Sequence, residues 1–271
     1  MGEIDKLLEI IKEVSAGKYS NDIMSLTGPG TPEPIRTIAE AMGLMMVKVE
    51  AREYRLEMLI SELKSLNEKI RVNTINTVST MAKALAARDT YTQGHTERVG
   101  ALAEQIATEM GLEAGEIEFV RIGGLLHDIG KIGFPDHLFM PHEAKNPPEI
   151  VNRIIQHPTV GAEILQELEF LGPALEYVWS HHERPDGKGY PRRLQDADVP
   201  MGAKIIAVAD SFDAMTTERP YQKAMSPDAA MKIFQRYAGT KWDKGCVEAL
   251  DRYLANTNSG SDKQPDNPAA E

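Results

Sequence analysis

The apolar residues near the N-terminus recur at helical spacing between polar residues. Four of them are predicted to share one face of a short amphipathic helix: Leu7, Leu8, Ile11 and Val14. A Pro- and Gly-rich connector, TGPGTPEP (27–34), follows, and a second helix is predicted to begin near Ile35. The pattern therefore predicts two helices joined by a loop within residues 1–55.

From Leu56 onwards the apolar spacing alternates between three and four residues. The positions concerned are Leu56, Leu59, Leu63, Leu66 and Ile70. This heptad spacing buries a narrow seam against a partner helix, so residues 56–74 are predicted to form a coiled-coil linker in a parallel homodimer. The next apolar position, Ile75, breaks the spacing and indicates that the seam passes into a domain core. A helix that packs on the main domain of its own chain is the alternative.

The N-terminal segment 1–55 resembles a HAMP-type signalling module, because its second helix continues into the coil. The helical pattern carries this resemblance. A plain helical hairpin is the alternative interpretation.

Residues 75–255 are predicted to form an all-α domain, because almost every periodic segment there has helical spacing. The segments are 70–88, 96–110, 114–130, 149–155, 158–169, 173–181, 201–216, 227–238 and 243–254. The run AKIIAVAD (203–210) has the composition of a buried strand, but it continues through SFDAMTT without a turn signal, which favours a helix. The polar tail 256–271 contains Pro and Gly and is predicted to be disordered.

Composition narrows the class of protein. The net charge of −11 argues against a DNA-binding protein, which neutralises phosphates with Lys and Arg. No apolar run approaches the ~20 residues of a membrane span, and the acidic N-terminus lacks the basic region of a signal peptide. The single cysteine, Cys246, excludes a disulfide framework and fits a reducing compartment. We therefore expect a soluble cytoplasmic protein, which can still bind a small anionic substrate through metal ions.

The His127–Asp128 pair is the first candidate for chemistry, because it follows an apolar helical stretch in GGLLHDIGKIG. A charged Asp near a buried face needs compensation, which a metal cation supplies directly. A buried hydrogen-bonded pair is the alternative. His95 and Asp210 complete a four-ligand set suited to a borderline divalent metal. Asp213, on the same face as Asp210, is predicted to brace a ligand from behind.

Three further histidines predict a second metal ion. His157 precedes Pro158, and because proline favours the first helical position, His157 is predicted at a helix N-terminus. His181 and His182 end another helix, and two adjacent histidines are seldom both needed for packing. The two oxygens of Asp128 can bridge two ions, so the set predicts a dinuclear centre suited to phosphoryl transfer.

Basic residues near these candidates indicate where an anionic substrate binds. Lys131 lies three residues after Asp128 and is predicted to project over the same face. The loop HHERPDGKGYP (181–191) and the two residues after it concentrate positive charge: Arg184, Lys188, Arg192 and Arg193. A surface loop with solvated charges is the alternative, but the adjoining histidines favour a loop that faces substrate.

Three motifs, LLHDIGKIG, HHERPDGKGYP and ADSFDAMTTERPYQKA, occur in this order and together resemble the HD-GYP family of the HD phosphohydrolase superfamily. The resemblance spans about residues 75–254. It implies a helical domain that hydrolyses cyclic di-GMP, or a related cyclic dinucleotide, to linear pGpG and/or GMP. It also leaves room for signalling protein partners at the GYP loop.

The resemblance implies roles for individual residues. Two divalent ions, commonly iron or manganese, would be held by His95, His127, Asp128, His157, His181, His182 and Asp210. Lys131 would contact phosphate and water, and with Asp128 it forms the predicted catalytic pair. Tyr190 and Arg219 match substrate-contacting positions. The predicted substrate-binding set is Arg184, Lys188, Tyr190, Arg219 and Lys223.

The chain departs from the family pattern at three places. Tyr91 replaces a Glu that helps some members hold a third metal, so two ions are expected. Met140 and Gln222 replace basic residues, which puts substrate affinity and nucleotide preference in question. A cyclic dinucleotide sensor without turnover and a one-metal nucleotidase are the alternative functions.

Overall fold

The computed structural model describes residues 2–86, 94–134, 148–218 and 223–261, and the regular elements in these ranges are helical. The α-helices are α1 (Glu3–Ser15), α2 (Glu33–Ala86), α3 (His95–Glu109), α4 (Ala114–Leu126), α5 (Pro148–Leu165), α6 (Ala174–Ser180), α7 (Met201–Thr216), α8 (Pro227–Tyr237) and α9 (Lys244–Ser261). Short 3₁₀ helices lie at Asn21–Leu26, Ile129–Gly133, Glu169–Leu171 and Asp196–Asp198. The predicted all-α class is confirmed. No helix in these ranges is apolar over a length that would cross a bilayer.

Contacts between residues divide the chain into two units, Met1–Val72 and Asn73–Glu271. The first unit has a small core formed by Leu7, Ile10, Ile23, Leu26, Ala39 and Met46. Leu8 and Ile11, predicted on the buried face of α1, are exposed instead. The buried stripe follows Leu7, Ile10 and Val14, because positions i, i+3 and i+7 share one side of a helix.

Helix α2 carries the predicted seam. Its five heptad residues are exposed in the single chain, by 51% to 59% of their area. They are Leu56, Leu59, Leu63, Leu66 and Ile70. Ile75 differs, because it is buried in a core of the second unit and Val78 packs against the same core. The change in apolar spacing at Ile75 therefore coincides with the entry of α2 into that core.

Helix α7 is central to the larger core of the second unit. It packs against α3, α4 and α6, and its buried residues include Ile205, Ile206, Val208, Ala209 and Phe212. A helix covered on most sides is apolar all round, which explains why AKIIAVAD has the composition of a buried strand. The prediction that this run is helical is confirmed.

Two glycines bring the helices that carry candidate ligands into close contact. A Cβ atom on Gly124 would lie 2.8 Å from the Cα of Gly100, so α3 and α4 cross too closely for a side chain between them. A Cβ atom on Gly130 would overlap the carbonyl oxygen of His157. The 3₁₀ helix after α4 therefore lies directly against α5.

Two predicted boundaries are wrong. The segments 149–155 and 158–169 belong largely to one helix, α5, which continues through Pro158. The tail predicted to be disordered from residue 256 is helical as far as Ser261, and 262–271 lie outside the described residues. Helix α9 continues because Asn256 donates a hydrogen bond to the Glu109 carboxylate at 3.1 Å and thereby ties the end of α9 to α3.

Candidate metal centre

The seven predicted metal ligands come from five helices and the turns that follow them. His95 opens α3, His127 and Asp128 follow α4, His157 lies in α5, His181 and His182 follow α6, and Asp210 lies in α7. Six of their side chains form two groups of three, His95 with His127 and Asp128, and His157 with His181 and His182. Within each group the ligand atoms lie within 4.8 Å of one another.

His157 lies inside α5, which corrects the prediction that it marks a helix N-terminus. Pro158 has no amide hydrogen for the carbonyl oxygen of Ile154, four residues earlier. The Nδ1 atom of His157 donates to that oxygen instead, at 2.7 Å. The imidazole thus replaces the missing helical hydrogen bond, and the helix tolerates the proline.

The same type of hydrogen bond orients two more imidazoles. Nδ1 of His127 lies 2.8 Å from the carbonyl oxygen of Gly124, and Nδ1 of His181 lies 2.7 Å from that of Val178. Because a carbonyl oxygen only accepts, each ring carries its proton on Nδ1. Nε2 therefore keeps a lone pair that is available to a metal ion.

These lone pairs converge in a buried space. The Nε2 atoms of His157 and His181 are 3.3 Å apart, and Nε2 of His127 is buried without a hydrogen-bond partner. Two facing acceptors are unfavourable unless a cation lies between them. Nitrogen ligands at about 2.1 Å from one ion would be roughly 3.0–3.4 Å apart at ordinary coordination angles. The donor set therefore fits a divalent metal ion.

The Asp128 carboxylate lies between the two groups. Its Oδ2 atom is 3.4 Å from Nε2 of His127, and its Oδ1 atom is 3.4 Å from Nε2 of His157. Asp210 joins the first group, because its Oδ1 atom lies 3.3 Å from Nε2 of His95. The Asp128 carboxylate therefore contacts a histidine of each group.

Burial keeps the second group of histidines neutral. It lowers the pKa of His157 to about 4 and that of His182 to about 3, and it holds the pKa of His181 well below its usual value. Neutral imidazole is the form that binds metals. Burial would raise the pKa of Asp128, but Lys131 and His127 hold it well below its usual value.

The pKa of His95 is shifted in the opposite direction. Burial lowers its pKa, but contacts with Asp210 and Asp213 raise the pKa to about 9. The same contact with His95 lowers the pKa of Asp210 to about 2, although burial opposes the shift. A metal ion at this position would therefore displace a proton from His95.

Asp213 contacts His95 from the side away from the other ligands. Its Oδ2 atom accepts from Nδ1 of His95 at 2.7 Å, and its Oδ1 atom accepts from Nε of Arg98 at 2.5 Å. Thr217 adds a third donor, at 3.2 Å. Arg98 was not among the sequence candidates, although it lies one helical turn after His95. Asp213 is thus placed to orient the His95 ring.

Lys131 lies beside the Asp128 carboxylate. Its Nζ atom is 2.5 Å from Oδ2 of Asp128, across the start of the 3₁₀ helix that follows α4. The side chain of Lys131 is 30% exposed, whereas that of Asp128 is 11% exposed. The ammonium group is therefore at the boundary between the buried ligands and solvent.

The loop after His182 is held by one buried carboxylate. Glu183 accepts hydrogen bonds from the backbone amides of Arg192, Arg193 and Leu194, at 2.6, 3.0 and 3.0 Å. Gly189 is required here, because a Cβ atom would lie 2.5 Å from the Cα of Glu183. The loop is consequently a fixed structure beside the candidate metal ligands.

The predicted substrate residues of this loop have different environments. The Tyr190 ring lies 4.6 Å from the His182 ring. Arg184 donates two hydrogen bonds to Asp186, at 2.5 and 2.9 Å. Lys188 and Tyr190, with Arg184, line a cavity of about 250 Å³ that also includes His181 and His182.

Other basic candidates are not in this cavity. The guanidinium of Arg192 lies over the Trp179 ring at 4.0 Å and contacts Glu176 at 2.8 Å. Lys223 is exposed. Four residues named from the sequence lie outside the described residues: Tyr91, Met140, Arg219 and Gln222.

The cavity also has lining residues that were not among the candidates named from the sequence. They are Glu183, Ala207, Ser211, Lys241 and Trp242. Ser211 follows Asp210 directly, which was a usable signal. Lys241 and Trp242 belong to the turn between α8 and α9, and only tertiary packing brings that turn to the loop.

The fold and the site define a helical domain in which buried histidines and aspartates converge on a candidate metal centre. Residues 79–245 match the family model described as the HD domain, and the chain belongs to this family. The HD-GYP resemblance of the three motifs is confirmed by curated relatives of the chain.

Two of these relatives are bacterial cyclic di-GMP phosphodiesterases. The chain is 33% identical over 232 residues to the cyclic di-GMP phosphodiesterase response regulator RpfG of Xanthomonas campestris, covering 84% of this chain and 60% of the relative. It is 40% identical over 165 residues to a cyclic di-GMP phosphodiesterase of Thermotoga maritima, covering 60% of this chain and 45% of the relative. The chain thus spans about half the length of these proteins.

A solved structure has a similar fold. The crystal structure of the cyclic GMP-AMP-specific phosphodiesterase V-cGAP3 of V. cholerae matches with a TM-score of 0.53 and 19% identity, over 70% of this chain and 51% of that chain. At this identity the match supports the fold alone.

Proposed function

We propose that the chain is a metal-dependent phosphodiesterase that hydrolyses cyclic di-GMP to linear pGpG and/or GMP at a dinuclear centre. The observation that carries the proposal is the position of Asp128. Its two oxygens each lie 3.4 Å from a histidine of a different group, His127 on one side and His157 on the other. A one-metal nucleotidase would have no use for the second group.

The residues proposed to hold the ions follow the division of the ligands. His95, His127, Asp128 and Asp210 would hold one ion, and His157, His181 and His182 would hold the other, with Asp128 shared. We propose iron or manganese, because imidazole and carboxylate ligands suit both. Two divalent ions held there would supply Lewis acidity towards the phosphoryl oxygens and towards a water molecule.

The side chains around the ligands would act on the substrate. Lys131, beside Asp128 and partly exposed, is placed to donate hydrogen bonds to a phosphate oxygen as negative charge develops on it. Arg184 and Lys188 line the adjoining cavity; Lys188 adds positive charge for an anionic ligand, whereas Arg184 is paired with Asp186. Tyr190, stacked near His182, would orient the nucleotide next to the ligands.

The substrate class is supported by the names of the relatives. Two are called cyclic di-GMP phosphodiesterases, and a third, from Vibrio cholerae and 31% identical over 205 residues, is called a 3'3'-cGAMP-specific phosphodiesterase. We propose cyclic di-GMP as the substrate, with cyclic GMP-AMP as the competing candidate. A non-catalytic sensor is disfavoured, because a binding module has no need for all seven ligands.

The test is an anaerobic turnover assay with Fe(II) or Mn(II). The purified chain would be given cyclic di-GMP, cyclic GMP-AMP and cyclic di-AMP, and the products would be separated by chromatography. We expect cyclic di-GMP to be consumed, with two metal ions per chain by elemental analysis. Asp128→Ala should abolish turnover and lower the metal content.

The matched control is Asp251→Asn, which removes a carboxylate from the exposed face of α9. It should leave turnover and metal content unchanged. Binding of cyclic di-GMP without any product would identify a sensor. Normal turnover by Asp128→Ala with two bound metals would refute the dinuclear centre.

We also propose that the first unit is a HAMP-like signalling segment that pairs two chains. The exposed heptad residues of α2, Leu56 to Ile70, support a homodimer, because such a seam is buried in coiled coils. Signalling proteins that contact the loop after His182 are proposed as further partners. Residues 56–74 would serve as the linker to the phosphodiesterase domain at 75–255.

A further inference from the structure

The cavity beside His182 has a second wall, formed by the turn between α8 and α9. Lys241 and Trp242 of this turn line the cavity together with Tyr190 and Lys188. Neither Lys241 nor Trp242 belongs to the three sequence motifs. The turn is nevertheless held in place by hydrogen bonds to α7 and to the loop after His182.

The indole of Trp242 is held in one place. Its Nε1 atom donates to the hydroxyl of Ser211 at 3.0 Å, and Ser211 directly follows the candidate ligand Asp210. The Phe234 ring packs 4.3 Å from the indole. The side chain is still partly exposed where it lines the cavity. An aromatic surface fixed in this way loses little conformational freedom when a planar ligand stacks on it.

The turn is also bonded to the loop after His182. The amide of Asp186 donates to the carbonyl oxygen of Thr240 at 3.2 Å. On the other side, Asp243 lies 3.7 Å from the buried Lys204 of α7 and accepts from the amide of Cys246 at 3.0 Å. The two walls of the cavity are therefore parts of one hydrogen-bonded arrangement.

The charges of the cavity favour an anion. Nζ of Lys241 lies 4.7 Å from the Tyr237 ring, and within the described ranges neither Lys241 nor Lys188 forms an ion pair. Arg184 is already bonded to Asp186. The nearby Glu183 carboxylate is occupied by three amides. Two lysine ammonium groups are thus available to a phosphate.

The volume limits what the cavity holds. It measures about 250 Å³, which is below the roughly 300–1,000 Å³ of sites that enclose a drug-sized ligand. One nucleotide is the natural occupant, and the remainder of a larger substrate would extend over the metal ligands. Aromatic rings that accept any base by stacking, beside lysines for its phosphate, are typical of nucleotide binding.

We infer that Trp242 and Lys241 form the binding wall for one guanine nucleotide of the cyclic dinucleotide, with the indole stacked on the base and the ammonium group on its phosphate. This inference rests on the proposed function, because the ligand class comes from it. The inference assigns Trp242 and Lys241 a role in substrate affinity and no role in the chemical step.

Steady-state kinetics with cyclic di-GMP test the role of Trp242. Trp242→Leu should raise KM by about 5- to 150-fold, the range expected for loss of one stacked base, and change kcat by less than about twofold. Trp242→Phe should restore most of the affinity, because it keeps an aromatic face. Bound metal should be the same in both. A kcat loss with unchanged KM would refute the binding role.

Intrinsic fluorescence tests stacking directly, since the chain has two tryptophans. In Trp179→Phe only Trp242 emits, and GMP, which has no phosphodiester bond to hydrolyse, should quench it with saturation. Cyclic di-GMP should do the same in the Asp128→Ala background. In the reciprocal Trp242→Phe chain, Trp179 lies under Arg192 and should not respond. Absence of quenching in Trp179→Phe would overturn the inference, whether or not the enzyme turns over.

Lys241→Gln should weaken GMP binding about tenfold and reduce its dependence on salt. Lys244→Gln, on the exposed surface of α9, is the matched control and should have no effect. The two proposals can fail separately. Turnover without quenching would support the phosphodiesterase proposal and refute stacking on Trp242. Quenching without turnover would support nucleotide binding at Trp242 and indicate a sensor.

Discussion

The Nε2 atoms of His157 and His181 lie 3.3 Å apart, although each ring has its proton on Nδ1 and neither can donate to the other. Both rings are buried, and burial lowers the pKa of each. The chain therefore holds two neutral acceptors against each other. This arrangement is unfavourable in the metal-free protein and favourable once a cation is bound.

The first prediction concerns the acid stability of the metal-free chain. The pKa of His157 is about 4 and that of His182 about 3 in the folded state, below the value of 6.5 that serves as the unfolded reference. At a pH between the folded and the unfolded pKa values, the unfolded chain binds more protons than the folded chain. The free energy of unfolding therefore decreases as the pH falls from 6.5 towards 4. Each histidine contributes a slope of about 1.4 kcal/mol per pH unit.

Urea unfolding of chelator-treated protein between pH 7.5 and 4.5 measures this slope. His157→Gln should reduce this slope of the unfolding free energy against pH by the share of one histidine, whatever its effect on absolute stability. His95 acts in the opposite direction. Its pKa is raised to about 9, so its contribution is present below pH 6.5 and is lost as the pH rises through 9. A slope that His157→Gln leaves unchanged would contradict the neutral assignment.

The second prediction is that Lys131 serves catalysis and not metal retention. Its Nζ atom lies 2.5 Å from Oδ2 of Asp128 at the edge of the buried site. Lys131→Ala should lower kcat by ~10²–10³, the range for loss of one electrostatic stabiliser. Metal content should remain at two ions per chain. Lys232→Ala on the exposed side of α8 provides the control, and parallel loss of metal would show that the assigned role is wrong.

The third prediction is that Asp213 positions His95. Asp213 joins the His95 ring to Arg98, at 2.7 and 2.5 Å. Asp213→Asn keeps the size of the side chain but removes its charge, and it should weaken manganese binding by about 10- to 100-fold, measured by competition with a chelator. Asp251→Asn should bind manganese as the unmodified chain does. Equal affinity in the two variants would exclude a positioning role.

The fourth prediction is that α2 pairs two chains. Leu59 and Leu63 are exposed by 51% and 59%, and each would contribute ~1.5–3 kcal/mol if buried in a seam. Replacing both with Asp should therefore give a monomer by light scattering, with metal content unchanged. Ser61→Asp with Ser65→Asp adds the same charge outside the seam and should leave the dimer intact. A monomeric unmodified chain would disprove the pairing.

The sequence determined the all-α class and the ligand candidates, because these depend on short-range patterns. The absence of a turn signal between AKIIAVAD and SFDAMTT identified α7 as a helix, and its continuous apolar run is explained by its central place in the core. The ring orientations of His127, His157 and His181 are also local, since each Nδ1 bonds to a carbonyl oxygen three residues earlier. Pro158 could have been interpreted in this way, because its missing amide hydrogen leaves the Ile154 carbonyl free.

Only the tertiary structure decided which side chains meet. His95 and Asp213 are 118 residues apart, and Ser211 and Trp242 are 31 residues apart, so no spacing in the sequence pairs them. Their contacts depend on how closely the helices cross, which the contact between Gly100 and Gly124 helps to determine. Local hydrogen bonds recur wherever a helix carries the right residue. A contact between distant segments exists only after the core has packed and fixed the helices relative to one another.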